Sequence, residues 1–164
     1  MDTYEIYKFL YNLLGGGKSY FNVIPADGLD GIKFKQFRIY LVVNNQAREF
    51  DGEHWVGIYI KSRTSPLEFF CSYGLGLRFY GEYFDKFANR FNNIVVENIK
   101  PIQSHGTNVC GQYALYFLYK KFHECSRISL YCKFSSNSKI AFISVGRFSF
   151  SGSIILNSKA IIFE

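Results

Sequence analysis

Three apolar segments, separated by polar turns, most constrain how this 164-residue chain can fold. Residues 54–61 (HWVGIYIK) and 67–74 (LEFFCSYG) have strand-like patterns, and the short break between them predicts a hairpin. Residues 110–122 (CGQYALYFLYKKF) carry apolar side chains at helical spacing. Because such a helix has to bury its apolar surface against a sheet, the sequence predicts an α+β domain.

Apolar periodicity predicts further elements along the chain. It indicates two more helices and two more strands: residues 3–14 and 78–91, and residues 38–45 and 93–103. Residues 18–38 contain a proline and two Asp-Gly pairs, so we expect a loop there.

The composition indicates a folded domain, with 48% hydrophobic and 20% charged residues. No apolar run reaches the roughly 18 residues of a membrane span, and the N-terminus lacks a basic stretch before an apolar one. We therefore expect a soluble intracellular protein of the nucleus or cytoplasm, without a membrane partner.

Cysteine and histidine usage indicates neither a disulfide framework nor a metal site. The four cysteines form no CxxC pair, so we expect reduced thiols, and the three histidines do not give the spacing of common zinc ligands. We expect no metal and no cofactor. The net charge is +6, but lysines and arginines are scattered, which favours solvated faces over a dedicated groove for nucleic acid.

The order of three polar residues points to nucleophilic chemistry. His54 lies where a polar turn becomes a strand, Gln103 precedes a loop, and Cys110 begins the apolar helix. Backbone N–H groups at a helix N-terminus favour a thiolate, and Gly111 leaves room for a substrate carbonyl. A thiol, an imidazole and an amide in this order can supply a nucleophile, its base and an oxyanion donor.

The spacing of these residues is specific. His54 precedes Cys71 by 17 residues, and Gln103 precedes Cys110 by 7. On these motifs the chain resembles the adenain-like cysteine proteases, the adenovirus-type and Polinton/Maverick-element endopeptidases, which are related to ubiquitin-like-protein-specific proteases. The matching segments are GGGKSYFNVIPAD (15–27), LVVNNQ (41–46), GEHWVGIYI (52–60), EFFCSYG (68–74) and IQSHGTNVCGQYALYFL (102–118).

The resemblance implies a papain-like fold, with a mixed central sheet and the nucleophile at a helix N-terminus. Cys110 would be the nucleophile and His54 its general base, while Gln103 and the Cys110 backbone N–H would hold the oxyanion. Trp55 would pack beside the histidine and shield the site, and Trp55 and Gly111 would contact the substrate.

The implied activity is that of a cysteine endopeptidase that cleaves viral or mobile-element structural precursors at sites with small residues such as glycine. The resemblance also implies an activating peptide and DNA as further partners, and association with a virus particle.

Position 71 departs from the family, which has an Asp or Glu there to orient the histidine. Here Cys71 occupies that acidic position, so we expect an impaired site. Glu68, three residues earlier on a strand, should point to the opposite face. Two alternatives remain open: a deSUMOylating or deubiquitinating isopeptidase, and a catalytically inactive peptide-binding relic.

The resemblance stops near the end of the apolar helix. We therefore divide the chain into a protease domain, residues 1–123, and a divergent C-terminal tail, residues 124–164, in which alternating apolar stretches could form hairpins and whose order is doubtful.

Overall fold

The computed structural model describes residues 1–15, 19–92, 94–131, 155–157 and 160–162. The chain divides into two compact units, Met1–Lys133 and Phe134–Glu164. In the described part of the chain, no helix is both long enough and apolar enough to cross a bilayer.

The first unit is built around a mixed five-stranded sheet. Its strands lie side by side in chain order: β1 (Tyr20–Ile24), β2 (Ile39–Asn44), β3 (Trp55–Ile60), β4 (Leu67–Phe70) and β5 (Val95–Glu97). The two outer pairs are parallel, and β2, β3 and β4 pair antiparallel. The α+β class predicted from the sequence is confirmed.

Helices pack on both faces of this sheet: α1 (Thr3–Leu14) and α4 (Cys110–Tyr131) on one face, and α2 (Gly28–Gly31), a 3-10 helix (Leu77–Tyr80) and α3 (Glu82–Asn89) on the other. Successive strand residues alternate between the two cores, because side chains of a β-strand point to opposite faces. Tyr40 packs with the α1 and α4 residues, whereas Leu41 packs with the α3 residues.

Local sequence signals explain where α1 begins and ends. Asp2 and Glu5 form a capping box, in which each side chain accepts from the other's backbone N–H. Ile6, Leu10 and Leu14 are buried on one face, and Gly15 follows as the C-cap. The predicted helix over residues 3–14 is confirmed.

The predicted loop over residues 18–38 is wrong, because this stretch contains β1 and α2. β1 gains its hydrogen bonds from β2 in parallel register, with Tyr20 opposite Ile39. The pairing partner lies beyond the turn residues that suggested a loop, so local composition could not reveal the strand.

Three predicted elements are shorter in the structure. β4 ends at Phe70, because a turn follows in which Gly74 has φ +70° and donates to the Cys71 carbonyl oxygen at 2.9 Å. The predicted helix over 78–91 is divided at Gly81, where φ is +84°. β5 covers only the middle of the predicted strand over 93–103.

The end of α4 lies beyond the predicted domain boundary at residue 123, since the helix continues to Tyr131. In the second unit, β6 (Ile155–Asn157) and β7 (Ala160–Ile162) pair antiparallel. Most of the predicted tail, including residues 132–154, lies outside the described residues.

Candidate active site

His54 lies at the start of β3, and Asn45 fixes its backbone. The Asn45 side-chain Oδ1 accepts from the His54 N–H at 2.9 Å, and the Asn45 N–H donates to the His54 carbonyl oxygen, also at 2.9 Å. Only 6% of His54 is exposed. The imidazole is therefore held at one end of the sheet with little freedom to move.

Cys71 directly follows β4, the strand next to β3, and its sulfur faces the histidine. The Cys71 Sγ lies 3.4 Å from the His54 Nε2. Glu68 instead forms an ion pair with Lys121 of α4 at 2.7 Å, on the opposite face of the sheet, as its position in the strand predicted. The residue that meets the histidine is therefore a cysteine, and Glu68 does not replace the missing carboxylate.

Two tyrosines complete the surroundings of the Cys71 sulfur, which is fully buried. The Tyr80 Oη lies 3.0 Å from the sulfur, and the Tyr73 backbone N–H donates to it at 3.3 Å. Together with His54 Nε2, these give the sulfur three polar neighbours. All three could also donate hydrogen bonds to a carboxylate at this position. We call His54, Cys71, Tyr73 and Tyr80 the histidine cluster.

The imidazole of His54 is neutral at neutral pH. Burial lowers the pKa of His54 from its usual 6.5 to about 4. The ring stacks on Tyr73, with a centroid distance of 4.7 Å, and lies parallel to Tyr80 at 6.2 Å. Among the described residues, His54 Nδ1 has no hydrogen-bond partner. When Nε2 carries the proton and donates to the sulfur, Nδ1 has a lone pair that can accept a proton.

Cys110 is the first residue of α4 and is partly exposed. The start of this helix lies against the start of β3, because a Cβ added at Gly111 would lie 3.5 Å from the Trp55 ring. Burial raises the pKa of Tyr80, and its hydrogen bond to Cys71 raises it further. Cys110 therefore lies near the end of the sheet at which His54 and Cys71 meet.

Trp55 and Gly111, the two residues predicted to contact substrate, lie beside the core between α1 and α4. A Cβ at Gly111 would touch Met1 and Ile6 at 3.4 Å, in addition to Trp55. Trp55 packs with the α1 and α4 core. A methyl group at Gly111 would thus make ordinary van der Waals contacts, and contact with substrate stays a prediction for both residues.

Gln103 is buried, and its amide group is fully engaged within the protein. Its Nε2 donates to the Thr107 carbonyl oxygen at 2.5 Å and to the Tyr73 Oη at 3.1 Å, and its Oε1 accepts from the Ser72 hydroxyl at 2.6 Å. An amide nitrogen has two hydrogens, so both are in use. Gln103 can donate to an oxyanion only after it releases one of these two hydrogen bonds. The bond to Tyr73 is longer and therefore weaker, so we expect it to be the one released.

Several residues of the site were missed from the sequence. Asn98 holds the Cys71 backbone from both sides, since its Oδ1 accepts from the Cys71 N–H at 2.9 Å and its Nδ2 donates to the Cys71 carbonyl oxygen at 2.7 Å. The sequence patterns place Tyr80 in a predicted helix and Asn45 in a predicted strand, without a role in the site. Their contacts join residues that are 9 to 27 positions apart, which no local pattern reveals.

Within the described ranges, no group of three His, Cys, Asp or Glu side chains is arranged to hold a metal ion.

Comparisons with known proteins add no family assignment. No protein-family model matches the chain, and no curated protein matches it. The resemblance to adenain-like proteases thus rests on the sequence motifs alone.

Proposed function

We propose that this chain is a cysteine endopeptidase with a papain-like fold of the adenain type. One observation carries the proposal: the buried, neutral imidazole of His54 is held at one nitrogen and unbonded at the other. Its Nε2 contacts the sulfur of Cys71, directly after β4, while its Nδ1 has no hydrogen-bond partner in the described part of the chain. The helix that begins with Cys110 starts beside the same strand. A thiol nucleophile needs a base of this kind within reach of its sulfur.

The proposed reaction proceeds through a thioester. The Cys110 sulfur bonds to the carbonyl carbon of the scissile peptide while its proton passes to His54 Nδ1. The C–N bond then breaks, and the proton goes from His54 to the leaving amine. Water adds to the thioester carbon, the C–S bond breaks, and the acid product and the free thiol are released.

The carbonyl oxygen carries negative charge in the transition state of both steps. The Cys110 backbone N–H at the start of α4 and the Gln103 Nε2 are the donors we assign to it. Gln103 would exchange its hydrogen bond to Tyr73 for one to the oxyanion. This donor would therefore become available only when substrate is bound.

Cys71 is a positioning residue in this scheme, because it acts through His54. Its sulfur keeps the Nε2 side of the ring occupied, but a sulfur stabilises an imidazolium less than a carboxylate does. Loss of the orienting acid costs about 10⁴-fold in serine proteases. We expect a smaller loss here, because the helix N-terminus also favours the thiolate.

The substrate class comes from the resemblance: viral or mobile-element structural precursors with small residues near the cleaved bond. An activating peptide, DNA, and a nuclear, cytoplasmic or virion location belong to the same proposal. An isopeptidase that acts on a ubiquitin-like conjugate would use the same residues, and the substrate distinguishes it.

A catalytically inactive peptide-binding module is the second candidate function. Two observations favour it: position 71 lacks a carboxylate, and both N–H groups of Gln103 are engaged. Such a module would bind extended peptides without cleaving them.

Incubation of a proteome-derived peptide library with the reduced protein tests the proposal. Mass spectrometry should detect new peptide termini with the wild-type chain and none with Cys110→Ala. Identical termini with both proteins would contradict the protease. Peptides retained by both proteins without cleavage would support the binding module.

A further inference from the structure

A hollow with aromatic lining residues lies next to Asn45 and Tyr80. Its volume is about 340 Å³, within the range of small-ligand pockets, and it is open to solvent. Rings of Phe50, Tyr80 and Tyr83 line it, together with the Glu82 side chain. Phe50 is 60% exposed, so its ring is accessible to a ligand.

Two residues of this hollow belong to the site described above. Asn45 exchanges hydrogen bonds with the His54 backbone, and the Tyr80 hydroxyl lies 3.0 Å from the Cys71 sulfur. A side chain in the hollow would therefore touch residues that hold the histidine.

The charge around the hollow is opposite to that of the whole protein. None of the described residues that line it is a lysine or an arginine, and Glu82 is acidic. The adjoining turn, residues 47–53, holds three acidic residues and one arginine, whereas the chain carries a net charge of +6. Negative charge thus collects beside the site of a basic protein.

We propose that this hollow is a substrate pocket for a basic side chain, lysine or arginine, of the polypeptide that the protease cleaves. Aromatic faces attract cations, and the Glu82 carboxylate adds an opposite charge at the rim. A leucine would gain only the apolar contact, and a glutamate would be repelled. The inference rests on the proposed function, because it names a specificity determinant of the same site.

Glu82 is available for this role. Its existing partner is Lys86, one turn along α3, at 3.4 Å, and their side chains are 72% and 56% exposed. Such an exposed pair is weak. A substrate cation that is partly shielded by the three rings can replace Lys86, and Lys86→Gln provides a matched control that breaks the same ion pair but keeps the carboxylate.

The test uses a positional-scanning library of internally quenched octapeptides. Each position in turn is fixed as lysine, arginine, norleucine or glutamate, and kcat/KM is measured for the full wild-type chain, Glu82→Gln, Phe50→Ala and Lys86→Gln. At one position we expect a preference for lysine or arginine of about tenfold over norleucine. Glu82→Gln and Phe50→Ala should each reduce that preference about threefold or more, whereas Lys86→Gln should keep it.

Two outcomes overturn the pocket proposal while leaving the protease intact: cleavage without a basic preference at any position, and a preference that Glu82→Gln leaves unchanged. If no peptide is cleaved, the proposed function fails instead. The pocket is then judged by fluorescence anisotropy with labelled lysine, norleucine and glutamate peptides. Tighter binding of the lysine peptides that is lost in Glu82→Gln supports it, and equal binding overturns it.

Discussion

The two sides of the candidate site differ in how they are prepared for chemistry. In the histidine cluster, the Cys71 sulfur has three polar contacts, and His54 Nδ1 is buried without a hydrogen-bond partner among the described residues. On the other side, Gln103 uses both of its N–H groups within the protein. His54 Nδ1 thus makes no hydrogen bond within the described part of the chain, whereas Gln103 would have to release one before it could donate to an oxyanion. A cysteine at position 71 therefore still holds the imidazole in an ordered set of contacts.

The largest expected effect comes from the Gln103 side. Gln103→Ala should lower kcat for peptide hydrolysis by about 10²–10³-fold, because an oxyanion-hole donor is lost. Alkylation of Cys110 by iodoacetamide forms no oxyanion, so its rate should stay within about twofold. Parallel loss of hydrolysis and alkylation would instead show that Gln103 only supports the fold.

Restoring an acidic residue at position 71 changes the histidine cluster directly. Cys71→Asp should raise kcat about 10²-fold, because a carboxylate on Nε2 raises the pKa of His54 and stabilises the imidazolium. Cys71→Asn is the matched control, since it offers a hydrogen bond without charge. The pH dependence of kcat is measured for both, and an equal response to Asp and Asn would exclude a charge effect.

Acid should destabilise the fold through His54. The pKa is about 4 in the folded chain and near 6.5 when unfolded, so between these values the unfolded chain binds the proton and the folded chain does not. The free energy of unfolding is therefore complete above pH 6.5 and falls towards pH 4, by roughly 1–2 kcal/mol after allowance for solvent screening. Urea unfolding at pH 7 and pH 4.5 should show this loss in the wild type. It should also show it in His105→Gln, the control variant, because His105 is exposed. His54→Gln should lose less, and an equal loss would contradict the assignment.

The smallest effect is expected where the two sides meet. Tyr73→Phe removes the hydroxyl that accepts from Gln103 Nε2 but keeps the ring that stacks on His54. One N–H group becomes available to the oxyanion, so kcat should rise about twofold to fivefold. A decrease would indicate that the Tyr73 hydroxyl holds Gln103 in its active position.

Local periodicity was sufficient for the elements that form the centre of the fold. Apolar spacing predicted α1, the first part of α4 and the hairpin of β3 and β4, which brings His54 and Cys71 to the same end of the sheet. It missed β1, whose hydrogen-bond partner lies beyond a turn, and it placed a continuous helix where Gly81 interrupts the chain.

The finer organisation of the site depends on long-range contacts. Tyr80, the last residue of the 3-10 helix, contacts the Cys71 sulfur, and Asn98, directly after β5, bonds to the Cys71 backbone. The sequence predicted Gln103 as a donor, but its existing bonds to Thr107 and Tyr73 depend on loop geometry. Residue type and spacing therefore predict which groups meet, while packing decides which hydrogen bonds they already make.

The most direct measurement is the rate at which each cysteine reacts with a thiol-directed electrophile near neutral pH. The reduced wild type, Cys110→Ala and Cys71→Ala are compared by intact mass, with peptide mapping to locate the label. An activated nucleophile predicts fast labelling that is confined to Cys110, absent in Cys110→Ala and slower in Cys71→Ala, because His54 loses its positioning contact. Slow labelling of all cysteines at similar rates in the three proteins would contradict the protease and leave the peptide-binding module as the function.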